Sequence, residues 1–304
     1  MTLPKTYIAG VAYELGECAH SYNELPRFQE TANAFGMADD PALWGLGQYR
    51  RTHEEKAHLA IHSARHTLRR SGLVSTAIDA LVLCAVSFPP GTEQQVAFTN
   101  VVAGELALLD KPIFALTLNR CATMLAGLQM ARSLVLSGEF RNVLVIGVDA
   151  IDGEEHRFER FAIFSDGAAS CVVSGDIESD YEIRKTAWRG ETVATTAALD
   201  IGTRLAYDVT RDLDIPGGPE SVLHVFHDNL FIPIVTLREE MAGFPTERLF
   251  LSNISRIGHC FSCDPLINLF DCEAQAPIAH GTSLLLACST PGIRAALLLR
   301  KIDR

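Results

Sequence analysis

The sequence predicts an α/β protein, with mainly parallel or mixed sheet covered on both faces by helices. Three observations predict it. Unbroken apolar runs such as 80–86 and 142–148 read as strands buried on both faces. Helical stretches of about ten or more residues lie between such runs. The order strand–helix–strand–helix–strand occurs on each side of residue 177. The chain therefore reads as two similar halves, 1–176 and 177–304, with no low-complexity linker and one shared core.

The elements follow in order. Residues 7–13 form a short apolar strand. Thr52-His53-Glu54-Glu55 has the capping-box pattern and opens a helix to about Arg70, stopped by Gly72. Residues 80–86 are a strand, 94–109 a helix and 112–118 a strand. A helix from Cys121 to near Gly138 is apolar almost all round, which marks it as buried. Residues 142–148 and 169–173 complete the first series of strands. In the second series, 181–187, 222–226 and 248–251 are strands, and 230–241 and 266–271 are helical. Residues 283–287 and 295–300 close the chain as a hairpin-like pair. The stretch 190–218 shows little periodicity and several Gly, Pro and Asp residues, and reads as an irregular excursion or surface loop.

Composition narrows the function. A 48% hydrophobic chain of 304 residues can bury a large core, and 21% charge is too little for a disordered one. No apolar run is long enough to span a bilayer, and the first residues lack the apolar region of a signal peptide. These features lead us to expect a cytoplasmic protein with its eight cysteines reduced. A net charge of −11 argues against nucleic acid as the main partner.

Three clusters carry chemistry, each just after an apolar strand, where sites of open α/β folds gather. They are Asn119-Arg120-Cys121, the segment from Leu223 to Asn229 containing His224 and His227, and the segment from Ser252 to Pro265 containing His259. A cysteine at a helix N-terminus faces unpaired N–H groups and the positive end of the helix dipole, which lower a thiol pKa. Taken alone, Cys121 reads more readily as a small core residue.

At these residues the chain resembles the thiolase-fold ketoacyl-ACP synthase III family, over almost its whole length. Cys121 and its Ala-containing helix resemble the family's nucleophile segment. Arg141 to Asp149 resembles its next core strand, and Phe164-Ser165-Asp166-Gly167-Ala168 its Phe-Gly-Asp-Gly-Ala signature. Phe226-His227-Asp228-Asn229 falls on its Pro-His-Gln-Ala-Asn-like motif, and Arg256-Ile257-Gly258-His259 on its Arg-His-Gly-Asn segment. The resemblance implies a homodimer with pseudo-duplicated βαβαβ halves in a five-layer αβαβα sandwich. It also implies an acyl-CoA or acyl carrier protein thioester as substrate, with no permanently bound cofactor.

The family's triad is Cys-His-Asn. Here the constellation becomes Cys121, His227 and His259, with His224 competing for the first histidine position. Two histidines can donate Nε2–H bonds to the enolate oxygen formed when a malonyl-type thioester loses CO2. The expected function is a 3-oxoacyl-ACP synthase III-like condensation in a specialised fatty acid or polyketide pathway. A histidine beside an acyl-cysteine could instead serve as general base for a hydroxyl or amine acceptor. A third reading, a non-catalytic ketosynthase-like partner subunit, is disfavoured by the retained cysteine.

The family's glycine-rich oxyanion loop is Cys288-Ser289-Thr290-Pro291-Gly292 here, stiffened by Pro291, so the oxyanion donors are expected to be the backbone N–H groups of Cys121 and Thr290. Arg50 and Arg51 near Trp44 match loosely the family's CoA or carrier contacts, against the simpler reading of a solvated pair. Arg65, Arg69 and Arg70 read as a solvated helix face before a carrier-docking one. Cys260-x-x-Cys263 lacks a second ligand pair, so no metal is expected. Asp166 reads as a turn-holding residue, and Asn253 and Asn268 as structural.

Overall fold

A computed structural model describes residues 4–177, 179–191 and 198–302. The first half runs β1 (Tyr7–Leu15), β2 (Cys18–Ser21), α1 (Phe28–Phe35), α2 (Pro41–Trp44), β3 (Gln48–Arg51) and α3 (Lys56–Ser71). It continues with β4 (Ala80–Cys84), α4 (Thr92–Glu105), β5 (Ile113–Leu116), α5 (Thr123–Leu136), β6 (Asn142–Asp149), β7 (Phe158–Glu159), β8 (Ala162–Ile163) and β9 (Gly167–Ser174). The second half holds β10 (Tyr181–Gly190), α6 (Ala198–Leu213), β11 (Val222–Phe226), α7 (Ile232–Met241), α8 (Ser252–Ile257), α9 (Asp264–Gln275), β12 (Ser283–Thr290) and β13 (Ile293–Lys301).

Strand order shows the duplication. The first half is ordered β5-β4-β6-β9-β1 and the second β11-β12-β13-β10. The outer pairings are parallel, β5–β4 and β4–β6 in the first half and β11–β12 in the second, and the remaining pairings are antiparallel. The halves join through the short pairing of Tyr7 and Ile8 with Glu182 and Tyr181. The counterpart of β5 in the second half is a single parallel bridge, Val225 to Leu249, so the strand expected at 248–251 is reduced to that bridge.

Helices α5 and α9 each pack against strands of both halves and form the middle layer. Helix α3 covers β1, β9 and β6 on one outside, with α4 against it, and α6 covers β10, β12 and β13 on the other, with α7. The result is the expected five layers. The central core includes Val82, Leu128, Val145, Leu266, Leu286 and Leu297, all essentially inaccessible. Each such side chain contributes roughly 1.5–3 kcal/mol by leaving water. Gly127 lets α5 lie directly on this sheet, because a Cβ there would sit 2.3 Å from the Cys84 sulfur.

Two local expectations change. The capping-box reading of Thr52 does not hold: α3 starts at Lys56, and the Thr52 hydroxyl accepts the Glu54 N–H at 3.0 Å. Its own N–H is drawn to the Asp166 carboxylate at 2.8 Å, a long-range bond that outcompetes local capping. The excursion at 190–218 contains the four-turn helix α6. Its buried residues Leu205, Val209 and Leu213 recur every four positions, while Ala206 and Thr210 extend the same face. Residues 192–197 of that stretch lie outside the described residues. Among the described residues, no helix is long and apolar enough to cross a membrane.

Candidate active site

Three strand ends deliver the site. After β5 the chain crosses the 3-10 turn Arg120–Ala122 into α5, and half-buried Cys121 lies in that turn. Arg120 and Leu118 both hold left-handed backbone conformations, φ 51° and 69°. Such strain in non-glycine residues clusters at functional turns. On the other side, the chain leaves α8 at Gly258, φ 67°, where a Cβ would come within 2.6 Å of the Ile163 carbonyl oxygen. Glycine there lets His259 thread beside β8, donating its backbone N–H to Ile163 and accepting one from Ser165. Phe261, φ 52°, stacks on Phe164, and both rings flank the His259 imidazole.

This placement sets the Cys121 sulfur 3.2 Å from His259 Nε2. His259 Nδ1 faces the carboxylate of Asp264, the first residue of α9, and both side chains are fully buried. Burial alone would lower the His259 pKa, but Asp264 and Cys121 overcome it and hold the ring well above its ordinary 6.5. Burial pushes the Cys121 thiol up, and the facing His259 pulls it back only in part. The expectation that the helix end lowers this thiol is thereby revised: desolvation outweighs it.

His227 is buried, 2% exposed, at the end of β11. Its Nδ1 donates to the Asp228 carbonyl oxygen at 2.7 Å, and among the described residues its Nε2 has no hydrogen-bond partner. Burial lowers its pKa, opposed by Glu239 and Asp264. Its charged neighbours thus include the Glu239–Arg294 pair, bonded at 2.6 and 2.7 Å behind the site. Asp228 accepts the Ser289 N–H at 2.7 Å, and burial raises its carboxyl to about 6. Among the described residues, no hydrogen bond joins His227 to Cys121 or His259. The competing His224 lies half-buried on β11, its ring 5.9 Å from that of Phe226.

The other expected residues divide. Thr290 ends β12, a strand packed against the turn that holds Cys121, and Arg120 reaches across to the Pro291 carbonyl at 3.3 Å. Arg51 lies 3.4 Å from Glu154, and Trp44 donates to the Ala38 carbonyl with its ring edge against Phe231. Arg50 bonds through its backbone to Ser165 and Asp166, while its buried Nε has no partner. Asp166 accepts a two-pronged Arg157 bond plus the N–H groups of Thr52 and Ile151, and so ties the loops beside the site. Asn253 and Asn268 bond each other, and Asn268 also supports the His227 carbonyl. Arg65 pairs with Glu105, and Arg70 stacks on Phe270. Cys260 and Cys263 are buried in the central core, with no ligand-type cluster around them among the described residues. A surface trio, Glu17, Cys18 and His53, does bring ligand-type atoms within 4.8 Å of one another. A cavity of about 580 Å3, lined by Lys56, Phe88, Phe98 and Asp152, does not include Cys121, His227 or His259 in its walls.

Sequence reasoning missed Asp264 and Asp228. An available signal was the acidic residue before Pro265 at a helix start, five positions after His259.

The chain is similar to several known proteins. The family model for 3-oxoacyl-[acyl-carrier-protein] synthase III matches residues 117–191, which include Cys121. The beta-ketoacyl-[acyl-carrier-protein] synthase III of Aquifex aeolicus is 24% identical over 279 residues, covering 84% of this chain and 88% of that protein. That of Rickettsia massiliae is 32% identical over 148 residues, 44% of this chain and 45% of that protein. Among solved structures, the Aquifex aeolicus synthase III superposes with a TM-score of 0.78 at 21% identity, over 97% of this chain and 99% of that one. Acetamide-bound OleA of Xanthomonas campestris gives 0.82 at 17%, over 99% and 100%. ChlB3, described as an acyltransferase, gives 0.80 at 17%, over 99% and 98%. The structural likenesses establish the thiolase fold, and the sequence matches show a similarity to beta-ketoacyl-[acyl-carrier-protein] synthase III that is strongest around the Cys121 segment.

Proposed function

We propose that this chain is an acyl-thioester-dependent condensing enzyme working in two half-reactions. In the first, the Cys121 thiol gives its proton to His259 Nε2, and the sulfur attacks the carbonyl carbon of an acyl-CoA or acyl-carrier thioester. The departing thiolate takes a proton from solvent, leaving an acyl-Cys121 thioester and the His259 imidazolium. In the second, a malonyl-type thioester loses CO2, its enolate carbon attacks the acyl group, and the Cys121 thiolate leaves. The product is a β-ketoacyl thioester. The backbone N–H groups of Cys121 and Thr290 serve as oxyanion donors, with His227 and His259 around the reacting carbons.

The observation carrying this reading is the 3.2 Å contact between Cys121 Sγ and His259 Nε2 at converging strand ends. The halves 1–176 and 177–304 then have separate tasks, nucleophile and histidines. Trp44, Arg50 and Arg51 are the proposed contacts to CoA or carrier. A homodimer, a cytoplasmic location and a specialised fatty acid or polyketide pathway complete the proposal.

One observation favours a second reading, acyl transfer to a hydroxyl or amine. With Nδ1–H donated to the Asp228 carbonyl, a neutral His227 leaves Nε2 as an acceptor, suited to removing a proton. One experiment separates the two. Intact-protein mass spectrometry with a panel of acyl-CoAs reads acylation, which C121A abolishes. Addition of malonyl-CoA then releases CO2 and clears the acyl mass if condensation is correct. Clearance by a small alcohol or amine, without CO2 release, refutes condensation and supports the second reading.

A further inference from the structure

Asp264 accounts for a chemical problem at position 259. In the segment this chain resembles, asparagine offers a neutral N–H donor, whereas His259 must donate from Nε2. An imidazole that donates Nδ1–H to a carboxylate carries only a lone pair on Nε2 when neutral. It gains an Nε2–H only as the imidazolium. Donation toward an enolate oxygen therefore requires the cation to persist after Cys121 has been acylated and its sulfur no longer carries charge.

The surroundings supply that charge balance from Asp264. Its Oδ2 faces His259 Nδ1 and accepts the Asn229 N–H at 2.7 Å. Its Oδ1 accepts the Cys260 N–H at 2.7 Å and Asn229 Nδ2 at 3.2 Å. All these groups donate, so the carboxyl works as a fixed acceptor in a site fully closed to water. The other titratable groups acting on His259 or lying around it are Cys121 before α5, Asp228 after β11 and Asp149 at the end of β6. Of these, Asp264 alone bonds the Nδ1 side of the ring, and Cys121 alone the Nε2 side.

We infer that Asp264 is a positioning residue that fixes the His259 tautomer and, once Nε2 has taken the Cys121 proton, keeps the ring an imidazolium through the rest of both half-reactions. The inference rests on the condensing reading for the second half-reaction, but its protonation claim is separate. In the first half-reaction, Asp264 strengthens His259 as acceptor of the Cys121 proton. In the second, it preserves the Nε2–H that the enolate oxygen needs. It touches neither substrate, and acts through His259.

Two measurements test this. In C121S, which removes the thiolate, nitrogen-15 spectra of the histidine rings should show His259 as an imidazolium at about pH 7.5, above its ordinary midpoint. A neutral His259 ring there overturns the inference, and this arm needs no change at Asp264. In D264N, alkylation of Cys121 by iodoacetamide should shift its pH midpoint upward by about one unit or more, a loss of about tenfold at neutral pH. The same substitution in an H259N background should leave the midpoint where H259N alone puts it. An unshifted D264N profile, or an equal shift without His259, overturns the inference. Acyl loading of the wild-type protein reports on the functional reading alone, so its failure leaves the protonation result standing.

Discussion

Replacing Asp149 with asparagine should make the protein more stable at pH 8 than at pH 5 relative to wild type. Asp149 ends β6, is 2% exposed, and accepts the Val86 N–H at 2.8 Å. Its Oδ2 has no protein partner, and Lys56 is close enough to help but not to bond it. Burial pushes its carboxyl up from the ordinary 3.8 to about 7. That difference corresponds to about 4 kcal/mol against the charged form. The sign follows from proton counting. Between about pH 4 and 7 the folded state holds more protons on this group than the unfolded state, so stability falls as pH rises. The penalty is complete above about pH 7 and absent near pH 3. The D149N variant carries no such term, so its advantage should grow by about 1.4 kcal/mol per pH unit across that window and then level off. Any fixed cost of placing an amide there cancels in the slope. Urea denaturation at pH 5, 6, 7 and 8 measures it. A difference between variant and wild type that stays flat within about 0.5 kcal/mol refutes the reasoning.

Two further substitutions probe the layers around the site. E239A should cost about 3–5 kcal/mol in urea denaturation, because it leaves the 1%-exposed Arg294 guanidinium buried without its carboxylate. The double variant E239L/R294L should recover most of that loss, and an E239A cost below about 1 kcal/mol refutes the assignment. G127A should cost about 1–3 kcal/mol, since its Cβ would sit 2.3 Å from the Cys84 sulfur and force α5 off the sheet. Because Cys121 lies in the turn leading into that helix, acyl loading should slow as well, and unchanged stability and loading together would contradict the packing described.

Much of the fold was legible because burial on both faces leaves a direct trace. Strands β4, β6 and β9 are largely apolar, and every residue in them is buried. Helix α3 ends where Gly72 takes the left-handed cap conformation, as its position after Arg70 suggested. Helix α6 was less visible because Gly, Pro and Asp residues around it mask a clear four-residue repeat. The Thr52 capping pattern misled for the opposite reason: a good local signal lost to a distant carboxylate, Asp166.

The site divides in the same way. The sequence by itself determined that a cysteine and histidines follow apolar strands, and that their order resembles a condensing enzyme, because motif spacing survives in one dimension. Which groups touch was decided by tertiary structure. Strained turns at Arg120 and Phe261, and the close passage at Gly258, bring His259 to Cys121 from 138 residues away. The same packing desolvates the Cys121 thiol, turning an expected low pKa into a raised one. It also places Asp264 behind His259. Proton affinity depends on desolvation and on charges a few ångströms away, and neither quantity exists until the chain has folded.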